Sequence, residues 1–390
     1  MKYTIKTCTN CLNDSSHPFK LSFDDNGLCY GCIVHLEKNN DLIFKNNLLA
    51  LESTLSSAKK NNSLYQCIVP INGSAEDYHT INFLLEKSIT PLVLLINNHF
   101  LNEIAWHNIH NLITHFDLDS ISYTPEIDNY KSLVRSSLVN FNDINWPYRY
   151  LRQTYSIHVA LEKKIPLIIW GMNQPIEFTG KFSHTDIVEM SEWSLKEHDL
   201  NGVSFNEALS TSSRYDINKT IHYPNHIQSS TIKGIYLSNY MPWDPWKQNS
   251  IFEKHGFMSE DIYHTFDQYE NVGSSIYYNF HDLLRLEYKG YKKVKEHLSR
   301  EIRHGRISRK NAMKLLNEYN QQTYSVESFF DWLGVTKSGK EWWILHKIPK
   351  YSHLIGEKSK KIIWKKYFKN YFSQNAFKSK NDFVSYMKGI

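Results

Sequence analysis

Tyr65-Gln-Cys-Ile-Val-Pro-Ile-Asn-Gly-Ser-Ala-Glu-Asp77 is the stretch on which the fold turns. Its first part, to Ile71, is largely apolar and too short for a helix; Asn72 to Ala75 are small or polar. From Asp77 to Lys87 apolar residues recur at helical spacing. A strand that passes through a loop of small residues into a helix leaves backbone N–H groups and the positive end of a helix dipole at the loop. That arrangement receives phosphate. Alone the pattern is weak, because most turns of this kind bind nothing and Ser74 or Asp77 serves equally well as an N-cap.

The same alternation extends in both directions. Further strands are expected at Pro91 to Ile96, Ser120 to Tyr123, Pro166 to Trp170 and Gly234 to Ser238. Helices are expected at Asp77 to Lys87, Asn102 to His115, Asp128 to Phe141 and Arg149 to Lys164. Strands separated by helices of this length imply crossover connections and a parallel sheet covered on both faces. Ligands of such sheets lie at the carboxyl ends of the strands, where the strand order reverses. The fourth strand ends in Ile169-Trp170-Gly171-Met-Asn173-Gln174-Pro-Ile-Glu177-Phe-Thr-Gly180, followed by Lys181-Phe-Ser-His184-Thr-Asp186. Gly171 would lie against the ligand, Asn173 and Gln174 are candidate substrate contacts, and Glu177, His184 and Asp186 are candidate catalytic groups. Their bland reading, with Glu189, is a set of caps and surface pairs.

Upstream, Cys8-x2-Cys11 and Cys29-x2-Cys32 form two hairpin-type pairs. Two such pairs close a tetrahedral Zn²⁺ site, and four thiolates leave no open coordination position, so the metal would be structural. Phe23 to Gly27 reads as a strand ending in a tight turn between the pairs. Two disulfides are the competing reading. Cys67 stands apart in the first strand and reads as a buried residue.

Composition bounds the rest. With 390 residues, 41% hydrophobic and 22% charged, the chain can bury a sizeable core, which excludes disorder and a disulfide-stapled miniprotein. Its longest apolar runs are far short of a membrane span, and the amino terminus has no apolar signal region, so a cytoplasmic protein is expected. The net charge of +5 is unevenly placed. From His346 to Ile390 eleven Lys face two acids, and from Arg285 to Lys310 ten Lys or Arg face three Glu, leaving the remainder acidic. A basic end suits phosphate, nucleic acid or an acidic partner. Arg300, Arg303, Arg306 and Arg309 recur every three residues; guanidinium forks suit a nucleotide diphosphate, and the bland reading is a solvated face.

Several motifs in order carry a resemblance. They are the four-cysteine ribbon, Val69 to Asp77, Pro166-Leu-Ile-Ile-Trp-Gly171, Tyr240-Met-Pro-Trp-Asp-Pro245, and Ser299-Arg-Glu-Ile-Arg-His-Gly-Arg-Ile-Ser-Arg309 with Gly290-Tyr291 ahead of it. Over roughly residues 5 to 345 the chain resembles the N-acetyl sugar amidotransferases of lipopolysaccharide O-antigen and nonulosonic-acid biosynthesis. The resemblance implies an α/β fold, an adenine-nucleotide α-hydrolase-like (PP-loop ATPase) parallel sheet with an N-terminal zinc ribbon and a helical C-terminal region. It implies that ATP, with Mg²⁺, adenylates the acetamido oxygen of a nucleotide-linked sugar. Ammonia from a partner glutaminase then displaces AMP to give an acetamidino group. Asn72, Gly73, Ser74, Ala75, Glu76 and Asp77 would hold the nucleotide, with Glu76 and Asp77 also catalytic. Tyr240, Trp243, Asp244, Arg300, Arg303 and Arg306 would meet the substrate, against a competing view of Trp243 as core.

Two departures matter. The family's Ser-Gly-Gly-x-Asp-Ser loop falls on Asn72 to Asp77, where Asp77 is an extra anion expected to repel pyrophosphate and Tyr78 is expected to crowd it. Relatives carry a Cys pair near Asn145-Trp-Pro-Tyr148 that this chain lacks, which disfavours sulfur transfer. A catalytically degenerate binding or scaffold subunit is therefore the second reading, and an RNA-binding relative the third. The organisation expected is a ribbon over 1–40, a helical linker over 41–64, the nucleotide-binding α/β part over 65–245, a basic helical region over 246–345 and a basic aromatic tail over 346–390. The tail is expected to form amphipathic helices.

Overall fold

A computed structural model describes residues 5–61, 63–204, 207–208, 231–260, 264–269 and 275–356. Five strands, β1 (Cys67–Ile71), β2 (Pro91–Ile96), β3 (Ser120–Tyr123), β4 (Leu167–Trp170) and β5 (Lys233–Tyr236), form one parallel sheet in the order β3-β2-β1-β4-β5. The parallel α/β sheet expected from the alternation is the one found. Cys67 to Ile71 run beside Pro91 to Leu95, and Ile68 lies opposite Ile168 on the other side. After β1 the chain builds outward through β2 and β3, then returns across β1 to place β4 and β5. The reversal falls between β1 and β4.

Side-chain alternation divides the sheet into two faces. Cys67, Val69 and Ile71 point into a core shared with α2 (Asp41–Lys59), α3 (Ala75–Glu86) and α4 (Glu103–His115); Ile68 and Ile168 meet Ile157 and Ala160 of α6 (Trp146–Lys163) on the other. β1, β2 and β4 are buried on both faces, which is why they read as unbroken apolar runs. Burying each such aliphatic side chain contributes about 1.5–3 kcal/mol. β3 is a half-exposed edge. The strand bounds differ from expectation by one or two residues: Pro166 has no N–H for the ladder and precedes β4, and Leu237–Asn239 turn away as a short 3-10 helix instead of extending β5.

The ribbon is not a free appendage. Its short helix α1 (Tyr30–Leu36) packs on α7 (Gln174–Thr179), the helix that follows β4. Leu12 N–H donates to Ser299 Oγ at 3.2 Å, and Tyr291 O–H donates to Asn13 Oδ1 at 2.8 Å. The carboxyl-terminal part supplies α8 (Pro245–Asn249), α9 (Tyr278–Lys289), α10 (Lys293–Arg303), α11 (Arg309–Asn320), α12 (Glu327–Leu333) and α13 (Lys337–Lys347). Ser308 caps α11, accepting from Asn311 N–H. Val294, Leu298, Ala312 and Leu315 of α10 and α11 join the core of the sheet's α3 face. α9, α12 and α13 build a second aromatic core with α5 (Ile127–Phe141) and the start of α6. No helix among the described residues is long and apolar enough to cross a membrane. Most of the basic aromatic tail, 357–390, lies outside the described residues.

Candidate functional site

The cysteine pairs converge. The Sγ atoms of Cys8, Cys11, Cys29 and Cys32 are buried and lie within 4.8 Å of one another. Three of the separations are 3.9, 3.6 and 3.6 Å (Cys8–Cys32, Cys11–Cys29, Cys29–Cys32). A tetrahedron with metal–sulfur bonds near 2.3 Å has edges of about 3.8 Å, so the donor set fits Zn²⁺ and is too far apart for disulfides. Backbone N–H groups of Asn10, Cys11 and Cys29 approach Cys8 Sγ, which favours thiolate. Arg303 places a guanidinium nitrogen 3.8 Å from both Cys11 and Cys29 Sγ, a counter-charge for four thiolates around one dication. Cys67 is a buried strand residue as expected, and burial pushes its thiol up.

The loop after β1 has its N–H groups converging, but on its own side chain. Asp77 Oδ2 accepts from Asn72 N–H at 2.8 Å, Gly73 N–H at 2.8 Å and Ser74 N–H at 3.0 Å. Ala75 N–H faces Tyr269 O at 3.4 Å. Asp77 and Ser74 close a capping box at the start of α3. Burial raises the Asp77 carboxyl, while Arg152 and the three N–H groups pull the other way. Tyr78 does not crowd the loop. It turns into the core, donates to Asn108 O at 2.8 Å and packs against Phe257. The N–H groups of Asn72, Gly73 and Ser74, which the resemblance assigns to a nucleotide, are thus taken up by Asp77 as folded.

Beside this loop, at the carboxyl ends of β1 and β4, lies a cavity of about 280 Å³. Asn72 and Glu76 enter it from the β1 side, and Gly171, Asn173 and Gln174 from the β4 side. Glu76 crosses between the two, its Oε1 accepting from Met172 N–H at 2.9 Å. That crossing requires glycine at 171, where a Cβ would stand 2.2 Å from Glu76 Oε1. The facing wall comes from α6, with Tyr148, Arg149, Arg152 and Gln153, and from His281, Arg285, Lys293 and Glu296 of α9 and α10. The ribbon closes a third side with His17, Pro18 and Phe19. Sequence reasoning missed the α6, α9, α10 and ribbon contributions. The helix over Arg149 to Lys164 was expected from the sequence, but no signal placed its face, or Arg285 of the basic run, at the cavity.

The wall is polar and strongly biased. Arg285 and Lys293 sit 2.9 and 3.1 Å from Glu296. Burial would raise the Glu296 carboxyl, but Lys293 and Arg285 hold it well below the usual carboxylate range. Burial lifts Asp199 to about 6, offset in part by Arg149, Gln153 and Arg152. Desolvation drives His281 down to about 3, leaving it neutral. Gln153 Oε1, Asn145 Oδ1 and Arg152 Nε are buried and have no hydrogen-bond partner among the described residues. Buried polar atoms left unmatched in a cavity wall suit a polar ligand.

The remaining expected site residues are elsewhere. Glu177 and His184 form a buried latch with the ribbon side: Lys38 Nζ is 2.6 Å from Glu177 Oε2, and His184 lies 3.3 Å from Glu177 Oε1 and 2.8 Å from Glu37 Oε2. Asp186 caps its own turn by accepting from Ser183 N–H. None of the three is among the residues that line the cavity. Arg300 pairs with Asp267 and Glu301, and Arg306 with Glu301 and Asp244. Arg303 donates to Glu177 O at 3.0 Å and Phe178 O at 2.9 Å. Tyr240 and Trp243 are core residues, Trp243 edge-on to His79. Arg300, Arg303, Arg306, Tyr240, Trp243 and Asp244, expected at the substrate, are engaged as folded in internal pairing and packing. Each guanidinium found its partner within the chain.

Residues 260–380 match the family model of the LPS biosynthesis protein WbpG-like, C-terminal domain. The match contains the Ser299–Arg309 motif and Gly290-Tyr291, and over this segment the resemblance drawn from those residues is borne out. No curated protein matches the chain at a significant level. Among solved structures the chain is similar to the NMN synthetase from Francisella tularensis at 12% identity and a TM-score of 0.29, covering 54% of this chain and 86% of that one. It is also similar to the NH3-dependent NAD synthetase from Campylobacter jejuni subsp. jejuni NCTC 11168 in complex with the nitrate ion, at 12% identity and a TM-score of 0.27, covering 43% and 78%.

Proposed function

We propose that this chain acts in the cytoplasmic amidation of a nucleotide-linked N-acetyl sugar for surface polysaccharide, working with a glutaminase that supplies ammonia. The observation that carries the reading is the polar cavity at the reversal between β1 and β4, in a chain whose carboxyl-terminal segment matches an LPS biosynthesis domain. Gln153 Oε1 and Asn145 Oδ1 can accept from sugar hydroxyl or acetamido N–H groups, and Arg152 offers a donor on the same wall. Glu76 and Asn173 would hold the ligand from the sheet side. The four cysteines would hold structural Zn²⁺, which fixes the ribbon wall and takes no part in the chemistry.

A second reading is supported by Asp77. With the loop closed by its own carboxylate, the chain would be a binding or scaffold subunit that presents the sugar while another component activates it. Purified protein, glutaminase partner, ATP, Mg²⁺ and UDP- or CMP-linked N-acetyl sugars decide between the two. Release of AMP and pyrophosphate with formation of the acetamidino sugar supports the catalytic subunit. Saturable sugar-nucleotide binding with no AMP release supports the binding subunit, and no binding of any such sugar nucleotide sinks both. Nucleic acid is not favoured as a partner, since Arg300, Arg303 and Arg306 are committed inside the molecule.

A further inference from the structure

The geometry points to Asp77 as a resident anion that fills the phosphate-type loop, so that the loop takes an external pyrophosphate only when this carboxylate leaves. Three successive N–H groups, of Asn72, Gly73 and Ser74, converge on the single oxygen Oδ2 at 2.8–3.0 Å. Gly73 holds φ at +84°, the local twist that turns consecutive N–H groups to one side. Asp77 is 5% exposed and stands in the first turn of α3, where a negative charge is favoured by the helix dipole. Ala75 N–H is taken up by Tyr269 O, so a carbonyl from a distant segment covers the next donor. Ligand-seeking atoms are found on the opposite wall of the neighbouring cavity. Gln153, 5% exposed, and Asn145, 7% exposed, each carry a side-chain oxygen with no partner among the described residues.

An incoming phosphate must therefore displace three charge-assisted hydrogen bonds and leave a buried carboxylate to find new solvation, or it must bind outside the loop. This bears on the nucleotide half of the proposed function but is tested without turnover, so failure of the amidation assay leaves it intact. The full-length, zinc-loaded chain is titrated calorimetrically with Mg²⁺ and inorganic pyrophosphate as wild type, Asp77→Ser and Asp77→Asn. Asp77→Ser, which empties the loop, is expected to bind pyrophosphate roughly tenfold or more tightly than wild type, with Asp77→Asn between them. Wild type binding as tightly as a folded Asp77→Ser variant overturns the proposal. Amide resonances of Asn72, Gly73 and Ser74 in the wild-type chain provide a check without substitution. They should stay unmoved at millimolar pyrophosphate, and saturable shifts at these three amides in the micromolar range would refute a resident anion.

Discussion

Asp199 and Gly180 show how much a single position can determine. Asp199 lies on the cavity wall with its carboxyl lifted to about 6 by burial, so the folded chain holds that proton more tightly than the unfolded chain does. Its contribution favours folding at low pH and is lost as pH rises from the ordinary carboxylate range through 6. Asp199→Asn is expected to be more stable than wild type at pH 8, on the order of 2 kcal/mol, with the gap shrinking toward pH 5. Paired thermal melts at the two pH values check this, and a gap independent of pH would contradict it. Gly180 ends α7 at φ +60°, and a Cβ there would stand 2.3 Å from Tyr30 O of α1. Gly180→Ala combines backbone strain with that collision and should cost about 2 kcal/mol or more, read as a lower urea midpoint. Asp77 teaches a related lesson about reading sequence. Its charge and its place on the first helical turn were legible, but its three bonds to the loop's own N–H groups were not. One dihedral decides whether a carboxylate faces the loop's N–H groups or an incoming anion, and composition does not encode it.

At the scale of elements, α7 and α10 are held together by Arg303, which joins two α7 carbonyls to the cysteine cluster. Replacing it with Ala removes a buried cation from both partners, and about 3–5 kcal/mol of stability should go with it. Arg303→Lys keeps the charge but cannot reach two carbonyls and the sulfurs at once, so it should recover only part of the loss. Denaturant unfolding of both variants measures this, and a Lys variant equal to wild type would show that charge alone suffices. The strands were legible because β1, β2 and β4 are buried on both sides and each must read as a continuous apolar run. The role of the Arg300–Arg306 series was not legible. A basic helix face looks the same whether its acids come from a ligand, from solvent-side neighbours or, as here, from Asp244 and Asp267 brought in by folding. The α6 wall was hidden for a similar reason, since Arg149, Arg152 and Gln153 lie at ordinary helical spacing and gain meaning only where the sheet reverses.

At the scale of the whole molecule, the four-cysteine ribbon forms part of the cavity wall. His17, Pro18 and Phe19 stand in the cavity wall, and α1 rests on the helix that carries Gln174. Metal analysis should find one zinc per chain. Its removal by a chelator, or Cys29→Ser, is expected to raise amide hydrogen exchange across 174–180 as well as within the ribbon. Exchange confined to residues 5–36 would show that the ribbon is mechanically separate.

The ribbon's attachment to α10 also has a consequence in time. Leu12 and Ser299, joined by a hydrogen bond, are 287 positions apart. On a ribosome moving at roughly 5–20 residues per second, the amino-terminal segment waits about 15–60 s for that partner to be made. Zinc can knot the segment early and α1 can dock on α7 once residue 180 is made, but the bonds of Leu12 and Asn13 to Ser299 and Tyr291 wait for the later chain. Chains that stop short of residue 300 should therefore be cleared by proteases from the amino end first, although every cysteine they need for metal is already present.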